Sequence, residues 1–156
     1  MQMVIEMPDE LKGVGEAVKA MVRQVEASWR STRGGRAVDY ATIERQVAAG
    51  AAAIERASHQ AVLQGLDVDQ PRVGIEGKVY SRVGRYEAEY YTMVGPVRVT
   101  RTLYREQGQR NAKTVNAVSL RSGVVGEGWL PGTAQAMAHQ LQQGTSREAE
   151  TTARLL

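Results

Sequence analysis

Tyr90-Tyr91-Thr92-Met93-Val94-Gly95-Pro96-Val97-Arg98-Val99-Thr100-Arg101-Thr102-Leu103-Tyr104-Arg105 is the stretch that decides the fold class. From Val97 onward β-branched residues alternate with arginine and threonine. A period of two sends Val97, Val99, Arg101 and Leu103 to one face of a strand and Arg98, Thr100, Thr102 and Tyr104 to the other. Gly95-Pro96 is a turn signal, and Tyr86 to Val94 before it reads as the partner strand.

Upstream, the strand period begins at Pro71. Arg72 to Glu76 and Lys78 to Val83 flank Glu76-Gly77, where a glycine at the second turn position accepts the positive φ of a two-residue hairpin. Gly84 then separates Lys78–Val83 from Tyr86–Val94. Four short strands with short connections predict an antiparallel meander over residues 71–105, with one face buried and the other wet.

Before the sheet the period is helical. Leu11, Val14, Val18, Met21, Val25 and Trp29 share one stripe, entered through Pro8, Asp9 and Glu10, which suit a first turn. Arg33-Gly34-Gly35-Arg36 breaks it, Asp39 is the expected N-cap of a second helix, and that helix carries Ile43, Val47, Ala51, Ile54, Ala57 and Ala61 to Gly65. Residues 1–66 are therefore expected to form an antiparallel helical hairpin. A stripe left uncovered could pair with a second copy, making a homo-oligomer.

After the sheet, residues 106–128 read as a polar loop and a glycine-rich flexible joint, with an extended segment over Val115–Leu120. From Trp129 a helix carries Leu130, Ala134, Met137, Ala138 and Leu141 and stops at Gly144. Thr145-Ser146-Arg147-Glu148 resembles a capping box opening another helix. This C-terminal region, 129–156, reads as a helical hairpin or as a helix-turn-helix cut short. Ending on Leu155-Leu156 without a cap is what a truncated gene or an excised segment would look like. The fold expected is thus α+β: helical hairpin, meander, C-terminal helices.

Composition narrows the chemistry. The chain has 156 residues, no cysteine and no phenylalanine, which excludes disulfides, thiol catalysis and cysteine-ligated zinc. Absence of a signal peptide and of any long apolar run points to a cytoplasmic protein with no membrane partner. His59 and His139 lie in different helices without a ligand motif. Asp67-Val68-Asp69 has a metal-binding form, yet stands where a helix must turn into a strand, and the turn reading is preferred. Gly13-Val14-Gly15 lacks the preceding strand and third glycine of a dinucleotide fingerprint.

Charge is unevenly spread. Residues 72–122 hold ten Lys/Arg against four Asp/Glu, whereas residues 1–71 hold eight against ten. A basic segment between near-neutral flanks suits a polyanion. Arg82, Arg85, Arg98, Arg101, Arg105, Arg110, Lys113 and Tyr104 are the candidate DNA-binding residues, with Tyr86, Tyr90 and Tyr91 interleaved. Arginine can grip phosphate bidentately, and tyrosine can stack on a base or donate to phosphate. Equally, the arginines could be a solvated sheet face and the tyrosines its core.

The block from Tyr90 to Arg105 resembles a segment in the N-terminal region of DDE-type bacterial transposases of the ISKra-type insertion-sequence family: tyrosine or threonine, a glycine turn, alternating valine and arginine, then tyrosine. Leu66-Asp67-Val68-Asp69, Arg82-Val83-Gly84-Arg85 and the Trp129 helix followed by Thr145-Ser146-Arg147-Glu148-Ala149 agree with it, so the resemblance covers about residues 60–156. It implies an RNase H-like catalytic domain beyond this segment, with an Asp, Asp, Glu triad and two divalent metals. No carboxylate here matches that triad. The chain itself is therefore expected to be non-catalytic and to need no cofactor, contributing binding of transposon ends or oligomerisation. A freestanding DNA-binding regulator and a purely structural oligomerisation module are the rival expectations.

Overall fold

A computed structural model describes residues 4–144, 147, 150, 151 and 154. The chain divides into two compact units, Met1–Ala61 and Val62–Leu156.

In the first unit, Pro8 leads into a single 3-10 turn, Asp9–Leu11, and then α1, Lys12–Thr32. Helix α2, Tyr40–Gly65, begins here and runs into the second unit. Its start is capped as expected: Asp39 accepts from the Thr42 amide at 3.2 Å and from the Thr42 hydroxyl at 2.6 Å. The hydroxyl bond first, then the amide bond, holds the Asp39 carboxyl below its ordinary value. The Met21 thioether of α1 fills the space that a side chain at Gly50 of α2 would need. Gly15, close to the Met7 sulfur, is nevertheless the only fully buried residue described between 4 and 61.

The second unit is built on a three-stranded antiparallel sheet in the order β1-β2-β3: β1 Arg72–Ile75, β2 Lys78–Thr92 and β3 Gly95–Glu106. Glu76 and Gly77 form the β1–β2 turn with φ of 50° and 78°, the conformation in which glycine was expected. The four-strand expectation fails at Gly84. Lys78–Val83 and Tyr86–Thr92 are one strand, and the irregularity between Arg82 and Gly84 is a bulge that absorbs a residue without reversing the chain. The next turn is also displaced. Met93 and Val94 make it, Thr92 pairs with Gly95, and Gly95-Pro96 already belong to β3. The Thr92 hydroxyl accepts from the Val94 amide at 3.2 Å and donates to the Gly95 carbonyl at 2.6 Å, supplying locally what an Asn-Gly pair would otherwise provide.

Nor does the sheet keep one wet face. Val97 and Val99 are buried on one parity of β3, and Thr102 and Tyr104 on the other. The reason lies along the outer edge of β3, which no fourth strand covers among the described residues. The Gln64 amide donates to the Thr100 carbonyl (2.7 Å) and accepts from its N–H (3.0 Å), as a neighbouring strand would. Asp67 accepts from the Thr102 amide (2.8 Å) and hydroxyl (2.9 Å). Val115 and Tyr104 exchange backbone bonds of 2.8 and 2.9 Å. Side chains from the end of α2 and the segment after it thus substitute for a strand and bury the far half of β3.

The Val115 bridge replaces the expected extended run, because Asn116 caps a short helix, α3 Ala117–Ser122, accepting from the Ser119 amide at 2.8 Å. Residues 123–128, expected as a flexible joint, are hydrogen-bonded together with the two residues that follow: Val125 pairs with Trp129, and Tyr91 of β2 bonds Gly128 and Leu130. Helix α4, Pro131–Gln143, starts two residues later than expected, since Trp129 is held in that pairing and Pro131 takes the first helical position. Thr145, Ser146 and Glu148 of the expected capping box, and Leu155-Leu156, lie outside the described residues. The core of this unit joins Leu63, Tyr90, Val97, Val99, Val118 and Leu130. Among the described residues no helix is long and apolar enough to cross a membrane.

Candidate nucleic-acid interface

The sheet sorts the basic residues into two groups by what stands beside them. Arg82 meets Asp69 at 2.6 Å, and Arg85 lies 3.5 Å from Asp67 and 3.7 Å from Asp69. Arg98 sits between Glu89 at 3.7 Å and Glu87 at 4.0 Å, one guanidinium against two carboxylates. These three exposed arginines present little net positive charge, although exposed pairs of this kind are weak.

The second group has no carboxylate within ion-pair distance among the described residues. Arg101 is half-buried, with Nη1 3.2 Å from the Tyr90 hydroxyl and 3.5 Å from the Ser119 hydroxyl, both neutral, while its Nε has no partner. Arg105 is half-buried at the end of β3, and its Nε is likewise buried without a partner. Arg110 and Lys113 are exposed in the loop that follows. Arg105, Arg110, Ser81 and Gln107, with the Asp69-paired Arg82, line one open groove of about 580 Å³ at the end of the β2–β3 pair. The carboxylate in that groove, Glu106, is engaged elsewhere. It bonds Lys78 at 3.2 Å, and this bond and its charge hold the Lys78 amine above its ordinary value. The groove is therefore a place where guanidinium charge is left uncancelled, the condition an incoming phosphate needs.

The tyrosines divide too. Tyr90 and Tyr104 are core residues, 0% and 2% exposed. The Tyr104 hydroxyl donates to the Val68 carbonyl and accepts from the Gln70 amide at 3.0 Å, so neither its ring nor its hydroxyl is offered to a ligand. Tyr91 stacks on Trp129 with ring centroids 4.8 Å apart. Tyr86 alone of the four stays open to solvent. Asp67 and Asp69 lie in the connection between α2 and β1, as expected of turn residues, and their carboxylates also serve as ion-pair and edge-capping groups. Among the described residues no group of three or more His, Cys, Asp or Glu is placed to hold a metal ion.

Comparison of the chain with protein-family models, with curated proteins and with solved structures found no match.

Proposed function

We propose that this chain contacts DNA through the end of its β2–β3 pair and serves as a binding and assembly part of a DDE-type transposase. The family reading is supported by the residue pattern from Tyr90 to Arg105, and it assigns the cutting and joining chemistry, with its divalent metals, to a separate RNase H-like domain. The DNA reading is carried by one observation: Arg105 and Arg110 share a groove and, among the described residues, no carboxylate lies within ion-pair distance of either, Glu106 of the lining being paired with Lys78. Arg82 also lines the groove, but Asp69 already answers its charge, and Arg85 and Arg98 lie outside that lining and are paired as well.

A gel-shift titration on duplex DNA across a salt series tests this. Replacing Arg105 and Arg110 together by alanine should weaken binding roughly tenfold or more and reduce the slope of log affinity against log salt by about 2, near one unit per lost phosphate contact. Arg98→Ala should change affinity less than about twofold, in line with the small worth of an exposed, already paired charge. If Arg98→Ala is the damaging change and the double variant keeps its affinity and slope, the groove is not the contact surface.

A second reading, assembly of several copies, is favoured by the first unit. The helices are proposed to close as an antiparallel pair, with Met21 against Gly50. Yet Val25, Trp29 and Val47 remain largely exposed, and no side chain described between 4 and 61 is fully buried. Helices draw most of their stability from packing an apolar face, so such a pair is better satisfied against a second copy. Sedimentation should find a dimer or larger species, and Val25→Glu with Trp29→Glu should convert it to monomer. A wild-type chain that sediments as a monomer at all concentrations would exclude this reading.

A further inference from the structure

Tyr86 is 53% exposed and stands in the part of β2 beyond its pairing with β1, which ends at Ser81. Its ring lies along its own strand over Gly84: a Cβ at position 84 would stand 3.0 Å from Tyr86 Cε2, 3.1 Å from its hydroxyl oxygen and 3.2 Å from Cζ. Glycine at 84 is what allows the ring to lie down on the sheet. The registers Tyr86↔Arg101, Gly84↔Leu103 and Ser81↔Arg105 place the ring on the same face as Arg101, Leu103 and Arg105. Arg101 is the backbone partner of Tyr86 in that register, with its guanidinium at the Tyr90 and Ser119 hydroxyls. Arg105 is four residues further along, about 13 Å at strand spacing, where the groove to Arg110 begins. Among the described residues no carboxylate lies within ion-pair distance of either arginine.

We infer that this face is a stacking site for an unpaired nucleotide of a single strand, with the base on the Tyr86 ring and its flanking phosphates at Arg101 and Arg105. The inference rests on the DNA-contact reading and narrows it. A ligand for this face must carry a flat apolar surface and negative charge on both sides of it, which is the chemistry of a nucleotide within a strand. In a duplex the bases are stacked on one another and cannot lie on a ring in a sheet face, so the site discriminates by strandedness. An acidic peptide would answer the arginines but leave the exposed ring unused.

Fluorescence anisotropy with a labelled single strand and the duplex of the same sequence tests this on the full chain. Tyr86→Leu keeps an apolar cover over Gly84 and removes the flat ring. It should weaken single-strand binding roughly tenfold, while Tyr86→Phe stays near wild type and duplex affinity changes less than about twofold. Single-strand binding unaffected by Tyr86→Leu overturns the inference, as does equal loss on strand and duplex. Displacement of the strand by poly-glutamate as readily as by unlabelled strand also overturns it, because charge alone would then explain binding. Duplex binding that persists when Tyr86→Leu has no effect leaves the groove reading standing and removes only this one. A wild-type chain that binds neither form removes both.

Discussion

Tyr90→Ala should be among the most damaging substitutions in the sheet unit, lowering its stability by about 3–5 kcal/mol, the range for deleting a large buried aromatic side chain. Tyr90 is fully buried at the centre of the core cluster, opposite Val97 across the β2–β3 pair. Its hydroxyl is also the meeting point of a small polar network: Ser119 at 2.9 Å, Arg101 at 3.2 Å and Asn116 at 3.4 Å. The alanine variant would therefore open a cavity and strip the half-buried Arg101 guanidinium of its nearest partner. Tyr90→Phe separates the two effects. It keeps the ring and leaves the partners unsatisfied, for an expected cost of about 1–3 kcal/mol. Urea unfolding followed by the fluorescence of Trp129, in a Trp29→Leu background so that only the sheet unit reports, would measure both. Equal losses for alanine and phenylalanine would assign the whole contribution to the hydroxyl network. A loss below about 1 kcal/mol for alanine would mean that Tyr90 is not the core residue its burial indicates.

The α+β character was readable because two periodicities are written plainly in the chain, one helical up to Gly65 and one strand-like from Pro71. Asp39 and Glu76-Gly77 were readable for a similar reason: an N-cap and a tight turn depend on residues within three positions of each other. The strand count was not readable. Gly84 looks like a turn residue, but its role is to admit the Tyr86 ring beside a bulge. The device that completes the sheet was equally hidden, since Gln64 and Asp67 reach Thr100 and Thr102 across 36 and 35 residues of sequence. No local pattern announces that two side chains will stand in for a strand.

The candidate site was half legible for the same physical reason. Charge totals are additive along a sequence, so the excess of arginine over residues 72–122 could be counted. Whether each arginine is cancelled depends on register. A two-residue turn at Gly95-Pro96 would have set Arg98 opposite Met93. The actual turn at Met93-Val94 sets it opposite Glu89. A displacement of two residues therefore decides whether Arg98 looks free or paired. Tyr104 illustrates the converse. Its place among the arginines suggested a ligand contact, yet its parity on β3 points it at the segment after α2, where Val68 and Gln70 take its hydroxyl.

Asp67→Ala should approach the Tyr90 variant in effect, at about 2–4 kcal/mol, because it leaves two neutral Thr102 donors without their acceptor at about 1–2 kcal/mol each. The Asp67 side chain is 5% exposed. Its Oδ1 accepts from the Thr102 amide at 2.8 Å, and its Oδ2 from the Thr102 hydroxyl at 2.9 Å and from Arg85 at 3.5 Å. Alanine leaves an amide and a fully buried hydroxyl without acceptors on the outer edge of β3, and strands left open in this way pair with other chains. Aggregation on partial unfolding should accompany the loss of stability. Asp67→Asn keeps one acceptor for the Thr102 amide and should fall between alanine and wild type. In a Thr102→Val background the hydroxyl is gone, so Asp67→Ala should cost about 1–2 kcal/mol less than it does alone, and a double-mutant cycle reads that difference directly. Arg85→Ala, by contrast, removes an exposed partner and should cost less than about 1 kcal/mol. Were Asp67→Ala neutral and Arg85→Ala severe, Asp67 would be an anchor for Arg85 and not the group that closes the sheet.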